Sequence, residues 1–142
     1  MEQNGRPVVE DIRWRAVGAG YFIGVLVTLV AGVPLLVFAE SSWLLAGAGL
    51  GGLLIGGFAT GRMAGAQIAL INGALMGILY YFTTALSFFA GSFLQLLPEP
   101  LPGLPQGDST FFFAWPLAQF VASVLGAVLG SRTAAKGVKR GA

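Results

Sequence analysis

The chain has 142 residues, of which 56% are hydrophobic and only 10% charged, with a net charge of +2; soluble domains carry about 25% charged residues. So much apolar surface exceeds what a fold of this size can hide, and the excess has to face acyl chains. Cysteine and histidine are absent, which excludes disulfides, thiol chemistry, His-ligated haem and most zinc or copper sites, and no basic stripe interleaved with aromatics supports nucleic-acid binding.

Residues 1–15 form a polar N-terminal segment carrying Arg6, Arg13 and Arg15. A first apolar stretch follows at 16–39, long enough to cross roughly 30 Å of hydrocarbon with about 20 residues. It exceeds the 7–15 apolar residues of a secretory leader, which disfavours a cleaved signal peptide. Pro34 should kink or finish it near its far end.

Glu40 separates it from a second stretch at 43–60, after which Arg62 marks a turn. The third stretch, 67–93, contains Asn72, the most polar group inside any span. An unpartnered amide in hydrocarbon costs a few kcal/mol, so Asn72 should face another helix and bond Thr60 or an exposed carbonyl. Its alternative role is contact with a solute. Gln119, Thr28 and Thr60 complete the main polar intramembrane set, with Thr83, Thr84 and Ser87 beside them.

An outer connection, 94–112, holds Pro98, Pro100, Pro102 and Pro105 with Glu99 and Asp108, and reads as a stiff extended spacer. The fourth span is 113–130, with Pro116 expected in its first turn, where a missing N–H is harmless. Residues 131–142 form a basic tail containing Arg132, Lys136, Lys139 and Arg140.

All 8 Lys and Arg therefore fall on one side of the four spans, and the opposite side carries only acids. Positive charges resist translocation, so Arg13, Arg15, Arg62, Arg132 and Lys136 set both termini in the cytoplasm. The expected fold is an all-α integral membrane protein, a four-helix transmembrane bundle, in a multi-pass N-in/C-in arrangement. The compact termini point to a bacterial plasma membrane.

Small residues recur at every fourth position: Ala16, Gly20, Gly24, Thr28 and Gly32; Ala48, Gly52, Gly56 and Thr60; Gly65, Ala69, Gly73 and Gly77; Ala118, Ala122, Gly126 and Gly130. Positions four apart share a helix face, so each span offers a groove for close backbone approach. The spacing of Gly20 and Gly24 matches Gly73 and Gly77, and Ala48, Gly52, Gly56 and Arg62 align with Ala118, Ala122, Gly126 and Arg132, as two parallel-repeat helical hairpins would. Gly57, Gly61 and Gly65 form a second ladder on span two, which is expected to face a partner because one bundle interior should not need both.

The run from Gly56 to Gly65, followed by Asn72-Gly73-Ala74-Leu75-Met76-Gly77, resembles a group of four-helix bacterial and archaeal membrane proteins with a GGxxAG-like hairpin leading into NGxxxG. That resemblance implies the fold and no activity.

No Asp, Glu, Lys, Arg or His lies well inside a span, whereas proton-coupled pumps need an intramembrane ionisable group. No nucleophile, base or cofactor site is apparent, so an enzyme is not expected. The sequence favours a scaffold or accessory subunit packing with the bilayer, with itself or with a larger membrane complex. The alternative is an oligomeric channel or carrier for a small neutral or anionic solute.

Overall fold

The computed structural model describes residues 12–39, 42–94 and 109–140. It contains four helices: α1, Trp14–Ala39; α2, Ser42–Ala64; α3, Ala69–Phe93; and α4, Ser109–Arg140. Among the described residues there is no strand. Among the described residues three segments are long and apolar enough to cross a membrane, Trp14–Leu35, Ala69–Gly91 and Ala114–Ala134.

Helix ends follow local chemistry. Gly65 has φ 87°, a left-handed conformation that costs a side-chain-bearing residue but not glycine. Its N–H donates to Gly61 O at 3.0 Å, the single reverse bond that closes a helix with a left-handed residue just past its end. Gly65 thus belongs to the turn into α3 and not to a packing ladder, and a side chain there would meet nothing within 4 Å.

Pro34 does not finish its helix, and Pro116 does not lie in the first turn of its own. α1 continues past Pro34 to Ala39, and Pro116 lies in the interior of α4, which begins two turns earlier at Ser109. Ser109 and Thr110 are good helix starters, and the apolar run after them lets the helix begin before the hydrocarbon does. At its other end α4 carries the basic tail in helical form to Arg140. Its 32 residues span ~48 Å at 1.5 Å per residue, more than the hydrocarbon needs.

Packing is organised around α2, which touches α1, α3 and α4, while α1 and α4 make no contact with each other among the described residues. Where α1 meets α2, Gly20 faces Gly56 and Thr60, and Gly52 faces Gly24 and Thr28; residue numbers rise on one helix as they fall on the other, so the pair is antiparallel. Gly57 and Gly61 face Ser123 and Ala127 of α4, and Gly126 and Gly130 face Leu54 and Phe58 of α2. Those numbers rise together, so α2 and α4 run in parallel. Gly73 and Gly77 meet Ala127 and Ser123, making α3 and α4 antiparallel.

The second ladder of α2 is therefore not left over for a partner. Gly57 and Gly61 lie against α4 backbone within the same chain, because α2 is central and needs two narrow faces to bring a helix close on each side. The two hairpins are also not identical. α1 meets the Gly52/Gly56 face of α2, whereas α3 meets Ser123 and Ala127, one position along from Ala122 and Gly126, their counterparts in the sequence alignment.

The interior is built from small side chains around Val17, Leu53, Met76, Tyr80 and Ala122, with the Met76 methyl lying where side chains at Gly24 or Gly56 would go. Large side chains point outward: Phe22 is 71%, Phe89 70% and Phe93 79% exposed. A protein with glycine inside and phenylalanine outside would aggregate in water; in lipid both choices are favourable. Close glycine contacts cluster toward the Arg62 end. Away from it the helices loosen, and every residue of α3 from Tyr81 to Ser87 is exposed.

Candidate functional site

Two polar layers cross the helices. The first lies where α1 begins, α2 ends and α3 begins. Asn72 is fully buried, in the first turn of α3. Its Oδ1 accepts the Arg13 backbone N–H at 3.2 Å, and its Nδ2 donates to Ile68 O at 3.0 Å. Arg13 precedes α1, and its carbonyl accepts the Val17 N–H at 3.1 Å, so Asn72 satisfies one of the unpaired donors at that helix start. The Arg13 guanidinium Nη1 donates to Met63 O at 3.1 Å, one of the last carbonyls of α2. Three helix ends are thereby tied together, and Asn72 bonds the Arg13 N–H and the Ile68 carbonyl, not Thr60.

Thr60, also fully buried, donates to Gly56 O at 3.0 Å and lies 3.3 Å from Ala16 O. Ser123 and Ser131 bond carbonyls three residues earlier, Phe120 O at 2.8 Å and Val128 O at 2.9 Å. These hydroxyl protons are held by the helices themselves, the ordinary arrangement for such residues inside a helix.

The second layer lies deeper. Thr28 Oγ1 and Tyr80 Oη are 2.7 Å apart. Thr28 has one proton and gives it to Gly24 O at 2.9 Å, so Tyr80 is the donor to Thr28. Beside it Tyr21 donates to Thr83 Oγ1 at 3.0 Å, a second tie between α1 and α3. Tyr80 and Tyr21 escaped the sequence reading. The available signal was spacing, since Asn72, Met76 and Tyr80 recur every fourth residue and all three are buried.

Gln119 is 3% exposed, and its Oε1 is buried without a hydrogen-bond partner. Gly73 faces Ala127 and Gly77 faces Ser123, so one further turn of this antiparallel pair sets Gln119 at the level of Tyr80 and Tyr81. Asn72 and Gln119 are thus at different depths. The first is fully committed, whereas the second keeps an unmet acceptor.

The cations whose side chains are described occupy one end. Arg13, Arg15, Arg62 and Arg132 are all exposed; Arg62 and Arg132 are brought level by the contact of Gly130 with the Arg62 backbone, and Lys136 lies farther along the α4 backbone. Glu40, Glu99, Asp108 and the proline-rich stretch 98–105 lie outside the described residues. The arrangement as a whole can hold helices together and present charge at a membrane surface. No family model, curated protein or solved structure matches the chain.

Proposed function

We propose that this chain is a small non-enzymatic integral membrane protein, a four-helix N-in/C-in bundle of two related hairpins, acting as a scaffold or accessory subunit that packs with copies of itself or with a larger complex of the plasma membrane. The observation that carries the reading is the outer half of α3. From Tyr81 to Ser87 every residue is exposed, although Thr83 accepts a bond from Tyr21 of α1, and Phe82 and Leu86 offer broad apolar contact beside the hydroxyl of Thr84. Partner contact would use this segment, because the glycine ladders are occupied by the chain's own helices.

Native mass spectrometry of the protein extracted gently from its own membrane tests this. The expected result is an assembly, with unrelated subunits favouring the accessory role and a homo-oligomer favouring the scaffold. A lone monomer would sink both. Orientation has its own test, since the chain has no cysteine: Ala134→Cys should react with an impermeant maleimide only after the cell is opened, and Gly103→Cys should react in intact cells. The reverse pattern would invert the topology.

A second reading, an oligomeric carrier or channel for a small neutral or anionic solute, draws support from the unmet Gln119 acceptor at the level of the Thr28–Tyr80 pair. Gln119→Leu separates the two. A scaffold should be stabilised by about 1–2 kcal/mol, because a buried carbonyl oxygen without a partner is removed, and should keep its assembly. A carrier should lose liposome flux.

A further inference from the structure

At the Arg62 end, between the start of α1 and the end of α2, lies an open cleft of about 380 Å³ lined by Ile12, Arg13, Trp14, Arg15, Ala16 and Met63. Two guanidinium-bearing residues share it with apolar side chains. Arg13 uses Nη1 on Met63 O and keeps its remaining donors, whereas Arg15 is exposed. Trp14 and Met63 are 58% and 44% exposed, so indole and thioether surface lies open beside the two cations.

We infer that this cleft binds the phosphate of an anionic phospholipid, with the upper part of the acyl chain against Trp14 and Met63. A guanidinium offers a planar fork of donors that matches phosphate oxygens. Tryptophan favours the level where headgroups meet tails. A free phosphate would satisfy the cations and leave the apolar wall uncovered, while a neutral zwitterionic lipid would bring its own cation toward Arg13 and Arg15. The inference rests on this end of the helices lying at a membrane surface, but not on which side of the membrane that surface is.

The test uses the full chain, delipidated in detergent, and counts bound lipid by native mass spectrometry with phosphatidylglycerol or phosphatidylcholine at equal mole fraction, and separately with inorganic phosphate. Wild type should retain phosphatidylglycerol at least about fivefold over phosphatidylcholine, the ratio expected of one cation near a headgroup at ~1 kcal/mol. Arg15→Gln should lower that ratio about fivefold, the share of one cation, with the remainder held by Arg13. Arg132→Gln, at the same end but outside the cleft, should leave it unchanged. Arg15 and Arg132 are both exposed, so both variants should keep the helical circular dichroism of the parent.

Equal retention of the two lipids by wild type would overturn the inference. So would an equal loss in Arg15→Gln and Arg132→Gln, which would reduce the effect to general surface charge. Displacement of phosphatidylglycerol by inorganic phosphate at matched concentration would make the cleft a simple anion site. Because the measurement is made in detergent, its failure leaves the topology and assembly tests standing, and their failure leaves this one standing.

Discussion

Replacing Gly61 by Leu should cost the fold about 3 kcal/mol, at the upper end for overpacking, because the obstacle is backbone. A side chain at Gly61 would meet the carbonyl oxygen, carbonyl carbon and Cα of Ala127, none of which can turn aside as a flexible side chain would. α2 and α4 would have to separate along their whole contact. Gly57 and Gly130, which rely on the same close approach, would lose their dispersion contacts together. Gly47→Leu is the matched control, since a side chain there meets nothing within 4 Å, and its cost should stay within about 0.5 kcal/mol. Unfolding in mixed micelles with increasing sodium dodecyl sulfate, followed by circular dichroism, measures both. Equal midpoints for the two variants would mean that the Gly57/Gly61 face does not meet α4.

The same contacts govern how association can be probed. Gly52 and Gly56 point at Gly24, Gly20 and Thr28 of α1, so large residues there disrupt the fold before they reach any partner. Substitutions that leave the interior intact belong on the exposed outer half of α3, at Phe82 or Leu86.

Hydropathy placed the four helices well where the chain is in hydrocarbon: the first was expected at 16–39 and is Trp14–Ala39, and the third at 67–93 and is Ala69–Phe93. The fourth apolar stretch, expected at 113–130, lies inside α4, whose helix extends past it in each direction. Apolarity marks where lipid is, while a helix in water or at the headgroups needs only its own backbone bonds and tolerable side chains. Small residues every fourth position were equally legible as faces. Which face meets which helix was not, because the central place of α2 depends on how four helices of different width nest in three dimensions. That is why the Gly57/Gly61 ladder was expected to be free and is occupied. Nor does a sequence announce the partner of Asn72, since a backbone N–H looks the same at every residue, or that Gln119 has no partner for its oxygen.

Asn72→Ala should remove about 2 kcal/mol, the cost of leaving a buried donor unmet together with the lost bond. The Arg13 N–H would have no acceptor at the start of α1, and Ile68 O would lose the side-chain donor beside it. Arg13→Ala should cost less, about 1 kcal/mol, although it deletes the larger and charged side chain. Its guanidinium bond to Met63 O is exposed and open to replacement by water, and the backbone N–H that Asn72 holds survives the substitution. Hydrogen exchange locates the damage. In Asn72→Ala the amides of Arg13 to Val17 should exchange faster, while those of Ser123 to Ala127, packed on the other side of α2 and on α3, should be unchanged. If Arg13→Ala proves the more destabilising of the two, the charged side chain holds this junction and the amide merely fills space beside it.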